Sequence, residues 1–260
     1  MGRLIYYFLI ILVILSGCSK KDNHNVLIVG MEMSYPPFEM TDESGNPIGI
    51  SVDLAKEIGK KLDKEVQLVN MSFDGLIPAL KSKKIDIILS SMTATEERAK
   101  TISFSDSYLK TGLCILTGKD SNINSIENLN QEGKIVVVKK GTTGHIYAKE
   151  NLKKARLLVV DKESSAVMEV IQQNADAFIY DQMSTYKNWQ ENLSKTNAVL
   201  KPFTEESWAI GIRQEDNQLR EAVNKALFEL KNEGLFDRLG DNYLSEQKRV
   251  FKEMGYPFYF

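Results

Sequence analysis

The sequence predicts an α/β fold built as two lobes joined by a hinge, with a cleft between them. Strand-like apolar runs alternate with amphipathic segments along the chain, the pattern of a mostly parallel sheet covered by helices. The alternation occurs twice, once before residue 111 and again in the middle third. About 235 residues follow the N-terminal segment, enough for one large domain or two smaller ones.

The elements read in order. Val26-Leu27-Ile28-Val29 is a strand, and Leu54, Ala55, Ile58 and Leu62 mark one face of a helix. Val66-Gln67-Leu68-Val69 returns as a strand, Asp74 is placed to cap a helix over 75–82, and Ile85 to Leu89 is a short buried strand. The middle third repeats the plan, with strands at 134–138, 157–160 and 175–180. Helices are expected over 144–151, around 166–172 and from Asp181 to Trp189. Leu219, Ala222, Val223, Ala226, Leu227 and Leu230 form the stripe of a late helix with one buried face. Crossings between lobes are expected near Thr111-Gly112 and Lys201-Pro202-Phe203, giving one lobe of 26–111 plus 204–260 and another of 112–203.

The N-terminus reads as an export signal. Arg3 precedes an unbroken apolar run from Leu4 to Leu15, too short to span a bilayer but suited to the core of a signal peptide. The run ends in Leu15-Ser16-Gly17-Cys18, which resembles the bacterial lipobox, in which the cysteine is lipidated (palmitate among the acyl groups) and becomes the first mature residue. Residues 1–17 are then a lipoprotein signal peptide and 18–25 a polar tether. The mature chain keeps 32 basic against 35 acidic residues, a near balance that gives no support for nucleic-acid binding by charge. Cys114 lies in an apolar run and reads as a buried free thiol, so no disulfide framework is expected. His24 and His145 are far apart without metal-ligand spacing, and neither a metal nor a cofactor is expected.

The chemistry concentrates in Ser90-Ser91-Met92-Thr93-Ala94-Thr95-Glu96-Glu97-Arg98, where a strand ends and a helix starts. Such an edge offers free backbone N–H groups, hydroxyls, and a planar cation that grips a carboxylate through two hydrogen bonds. The same residues also fit a plain capping box from Thr93 to Glu96, with Arg98 paired to a surface glutamate.

Several further segments resemble one family. Ser34-Tyr35-Pro36-Pro37-Phe38-Glu39, Gly49-Ile50-Ser51-Val52-Asp53-Leu54-Ala55, Phe73-Asp74-Gly75-Leu76, the hydroxyl–arginine stretch, Lys140-Gly141-Thr142-Thr143-Gly144, Tyr180-Asp181 and Trp208-Ala209-Ile210-Gly211-Ile212 occur in order over 26–245. Together they resemble the polar amino-acid-binding proteins of ABC importers, extracellular solute-binding proteins of family 3. Ser51 departs from the aspartate the family often carries there, and the aromatic tail over 256–260 has no functional reading. The resemblance implies the two-lobed periplasmic-binding-protein type II fold and a non-enzymatic receptor. It would be held outside the cytoplasm by its lipid anchor and be most simply a monomer. The receptor would deliver a free amino acid to a permease and its ATPase. A sensor for a membrane signalling receptor, or a cyclohexadienyl-type dehydratase, are the alternatives on the same fold.

Carried over residue by residue, the resemblance implies that Arg98 takes the ligand carboxylate together with Thr143 and the helix start behind it. Asp181 would take the ammonium, and Ser91 and Thr93, flanking Met92, would share both groups. Tyr35 and Phe73 would sandwich the ligand, with Phe38 in the core. Glu32, Lys139 and Gly144 would set side-chain specificity. Glu32 alone favours a cationic ligand, whereas a Glu32–Lys139 pair favours a neutral polar one.

Overall fold

The computed structural model describes residues 25–256. The expected signal peptide, Cys18, the tether up to residue 24 and the tail residues 257–260 lie outside the described residues.

The strands are β1 (Val26–Met31), β2 (Met40–Thr41), β3 (Pro47–Ile48), β4 (Glu65–Asn70), β5 (Ile87–Ile88), β6 (Ser103–Thr111), β7 (Leu113–Gly118), β8 (Ile135–Lys139), β9 (Arg156–Val160), β10 (Ala177–Asp181), β11 (Thr196–Val199) and β12 (Glu206–Ile212). The helices are α1 (Ile50–Lys61), α2 (Leu76–Lys81), α3 (Glu96–Ala99), α4 (Thr143–Asn151), α5 (Glu163–Ile171), α6 (Gln182–Glu191), α7 (Asn217–Asn232), α8 (Leu235–Tyr243) and α9 (Ser245–Glu253).

Two five-stranded sheets share one plan. The first runs β4-β1-β5-β12-β6 and the second β9-β8-β10-β7-β11. In each, three parallel strands come first, and the last two are antiparallel to their neighbours. The expectation of mostly parallel sheets therefore holds for only part of each sheet. The two reversed inner strands, β12 and β7, are the ones that begin where the chain crosses between sheets. A strand entering antiparallel puts its N-terminal end beside the C-terminal ends of its parallel neighbours. All of these ends therefore meet at one edge, the usual ligand-binding edge of an open α/β sheet.

Side chains alternate across the parallel strands because successive Cβ atoms point to opposite faces. Leu27, Val29 and Met31 of β1 join the large core containing Leu54 and Ile58 of α1 and Val223 and Leu227 of α7. Ile28 packs instead against the cluster of Leu76, Leu80, Ile85 and Ile88. The α7 stripe is buried at Val223, Ala226, Leu227 and Leu230, whereas Ala222 is exposed. Asp74 caps neither α2 nor the 3-10 turn Phe73–Gly75 before it; its carboxylate pairs with Lys140 at 2.8 Å.

The crossing segments lie side by side. Gln182 N–H donates to the Gly112 carbonyl at 3.0 Å, and Leu113 N–H donates to Thr204 Oγ1 at 2.8 Å. A Cβ on residue 112 would sit 2.0 Å from the Thr204 carbonyl oxygen, so only glycine permits this approach.

The C-terminal segment departs from the expected division. Residues 204–260 were assigned as a block to the lobe of the first sheet, yet α9 packs on the elements of the second. Phe251, 1% exposed, clusters with Tyr186 of α6 and with Leu200 just after β11. The Tyr186 and Phe251 rings lie 5.2 Å apart, and Tyr256 packs 6.3 Å from Phe251. The chain thus returns a third time, and at least the first aromatic of the tail has a packing role. Phe251→Ala should cost about 3 kcal/mol of stability, because it empties a closed apolar site. The midpoint of denaturant unfolding measures it, and an unchanged midpoint would show that α9 is not docked.

Candidate functional site

The strand ends at the shared edge carry most of the expected residues. Glu32 follows β1, Phe73 follows β4, Ser90 and Ser91 follow β5, and Glu206 opens β12. From the second sheet, Lys139 ends β8, Thr143 opens α4 just beyond, and Asp181 ends β10. All of them except Lys139, which lies behind Glu32, line one cleft whose walls are drawn together around a cavity of about 30 Å³.

Arg98 is 7% exposed and touches both sides of the cleft. Its guanidinium donates to the Thr93 carbonyl at 2.7 Å and, across the cleft, to the Gly141 carbonyl at 2.9 Å. Burial pulls its pKa down to about 10, opposed by the nearby Glu206 carboxylate, so it stays charged at neutral pH. The helix carrying Arg98 starts at Glu96 and is capped by Thr95, whose hydroxyl accepts from the Arg98 N–H at 3.2 Å. The Thr93–Glu96 capping box does not form. Thr93 is instead drawn into a bridge with Trp208 of β12, which leaves its hydroxyl at the cleft.

That hydroxyl donates to Glu206 Oε2 at 2.8 Å, and Thr143 donates to the same oxygen at 3.1 Å from the opposite sheet. A hydroxyl has one proton, so toward anything else in the cleft these threonines present lone pairs. Burial raises the pKa of Glu206, and the two hydroxyls and Arg98 oppose that rise. Anion-binding capacity on the second sheet comes mainly from the start of α4, whose first N–H groups have no partners within the helix. Thr142 caps that helix by accepting from the His145 N–H at 3.3 Å.

Asp181 both caps a helix and faces the cleft. Its Oδ1 accepts from the N–H groups of Met183 and Ser184, each at 3.0 Å, and from Tyr35 Oη at 2.6 Å. Burial pushes its pKa up to about 7, with the Tyr35 and Ser184 bonds working the other way. Tyr35 therefore bridges the sheets through its hydroxyl, while its ring packs on Phe38, Trp208 and Tyr180 with centroids 5.6, 5.8 and 6.0 Å away. Phe38 is fully buried in that cluster. Phe73 stands beside two cations, 5.5 Å from the Arg98 guanidinium and 5.7 Å from the Lys139 ammonium. Lys139, 1% exposed, makes an ion pair with Glu32 across the cleft.

Two expected residues stand apart from the cleft. The Met92 side chain is buried with Leu76, Leu80, Ile88 and Ile102. Gly144 lies against β10, where a Cβ would be 2.6 Å from the Ile179 carbonyl oxygen, so its part is to let α4 pack closely. Conversely, two of the four acids that line the cleft, Glu39 and Glu206, are absent from the sequence-derived set. Glu39 lay inside a quoted motif and Glu206 beside another, but nothing in their spacing marks an acid that becomes buried.

A sequence model of the bacterial extracellular solute-binding proteins, family 3, matches residues 27–246. The arginine-binding extracellular protein ArtP of Bacillus subtilis is 33% identical over 242 residues, covering 90% of this chain and 91% of the relative. The histidine-binding periplasmic protein of Escherichia coli K12 is 30% identical over 225 residues, covering 83% and 86%. Among solved structures, a mutant of the Thermotoga maritima arginine-binding protein matches with a TM-score of 0.79 at 39% identity, covering 85% of this chain and 96% of that one.

Proposed function

The chain belongs to the bacterial extracellular solute-binding proteins of family 3, and we propose that it is a lipid-anchored extracytoplasmic receptor that captures one polar amino acid and hands it to an ABC permease and its ATPase. The observation that carries this reading is that Arg98 and Asp181, opposite in charge and placed on opposite sides, face one cleft. The ligand carboxylate would take Arg98 and the first N–H groups of α4. The ammonium would take Asp181 and the lone pairs of Ser91 and Thr93. Tyr35 and Phe73 exclude water from these charges, which strengthens them. A ligand touching both sheets favours the closed arrangement of two lobes, hinged at the paired crossings, and the permease reads that shape.

Relatives named for arginine and histidine would argue for a cationic ligand. Glu32, however, already has its cation in Lys139, and a second positive charge would have to displace a buried ammonium. The pair favours a neutral polar amino acid, glutamine-like in shape.

A thermal-shift screen of the common amino acids, followed by calorimetry, tests this reading. Glutamine should bind more tightly than arginine or lysine, near the micromolar range, about −8 kcal/mol. Much tighter arginine binding would overturn the assignment of ligand class. Arg98→Ala should keep the circular dichroism of the wild type and lose most of the binding, and near-wild-type affinity would reject the site. Asp181 also sets a pH dependence. Its empty-site pKa is raised to about 7, and an ammonium favours the ionised form, so binding below that pH releases a proton. Affinity should rise with pH up to about 7, above which Asp181 contributes no further change. Calorimetry in buffers of different ionisation enthalpy detects the released proton, and affinity flat over that range would contradict the role of Asp181.

A further inference from the structure

We propose that Glu39 is a positioning residue of the binding site, a buried carboxyl that holds Ser91 and Glu32 in place. It rests on the receptor reading above for its binding readout alone.

Glu39 is 1% exposed at the floor of the cleft and is gripped by three hydroxyls from separate parts of the chain. Ser51 Oγ and Ser91 Oγ lie 2.7 and 3.1 Å from its Oε2, and Ser90 Oγ lies 3.3 Å from its Oε1. Through these contacts it reaches three cleft residues. Ser91 has φ of 48°, a left-handed backbone that a residue with a Cβ holds only when its surroundings impose it. Ser90 accepts the Glu32 N–H at 2.9 Å, so the same carboxyl fixes the backbone from which Glu32 meets Lys139. The Glu39 backbone exchanges both its hydrogen bonds with Tyr35, at 2.8 and 3.0 Å.

Ser51 completes the cradle. Its N–H donates to the Phe38 carbonyl at 2.8 Å, which brings the first turn of α1 against the loop and its hydroxyl onto Glu39. A second acid at residue 51 would set two carboxyls against each other, whereas serine brings a single hydroxyl without charge.

The charge acting on Glu39 is that of Glu32 from the end of β1, which also engages Lys139; Glu39 in turn raises the phenols of Tyr108 from β6 and Tyr180 from β10. Burial dominates the three hydroxyl bonds and pushes the carboxyl up to about 8. A protonated Glu39 donates along one of its serine contacts and accepts along the others. Its deprotonation at higher pH puts a charge under Ser91.

The test compares wild type, Glu39→Ala, Glu39→Gln and Ser51→Ala. Glu39→Ala should lose roughly tenfold in affinity for the amino acid that the wild type binds, and Glu39→Gln, which keeps a donor and an acceptor, should recover most of it. Wild-type affinity should change between about pH 7 and 9, and Glu39→Gln should lack that step. If Glu39→Ala does not fold, Ser51→Ala carries the test, with weaker binding and an upward shift of the same step. Infrared difference spectra of the ligand-free proteins should show a protonated carboxyl band at neutral pH that Glu39→Gln removes. This last readout does not depend on any ligand. An amino-acid screen without a hit would overturn the receptor reading while leaving the carboxyl band standing. The proposal itself is overturned if Glu39→Ala binds like wild type, if Glu39→Gln shows no recovery, if Ser51→Ala leaves affinity and step unchanged, or if the band is absent.

Discussion

The arrangement of the cleft depends on a guanidinium buried where its two walls meet. A buried charge without partners costs several kcal/mol, so Arg98 can lie there only because carbonyls from both sides accept its protons. Those carbonyls, of Thr93 and Gly141, lie just beyond strands of different sheets, so the contact that satisfies the arginine also holds the cleft walls in register. The neighbouring carboxyls follow from the same constraint. Asp181, Glu39 and Glu206 are all pushed toward the neutral form by burial, and each is held by hydroxyl donors. A cleft so arranged is costly to leave half-satisfied, and a zwitterion brings one group for each side.

The shared sheet plan explains why these groups converge. Parallel strands place Glu32, Lys139 and Asp181 at their C-terminal ends. The reversed strand β12 then adds Glu206 at its start, beside the second crossing. Hinge and site are therefore next to one another in the chain.

Much of the architecture was legible because it is written in local pattern. The apolar runs of β1, β8 and β10 and the stripe of α7 are visible in a few residues each. What escaped was set by distant partners. The polar segment that forms β6 is a strand because β12 pairs with it, some hundred positions later in the chain. Thr93 and Thr95 both have helix-capping credentials, and the choice between them is made by Trp208, which draws Thr93 into an extended bridge. Asp181 caps α6 and also meets Tyr35 from the far side of the cleft, a contact that no local pattern announces. Glu39 has no periodic signature, since its burial is created by serines at 51, 90 and 91. The side chain of α9's Phe251 likewise reveals its docking partner only once α6 is in place.

The central claim is that one ligand is held by both of its backbone charges, from opposite walls. The most direct measurement compares the amino acid bound best with its decarboxylated amine and its deaminated acid in competition calorimetry. Each analogue leaves one buried charge, Arg98 or Asp181, without its partner. Each should therefore bind at least about a hundredfold more weakly. An analogue that matches the parent amino acid would contradict the account.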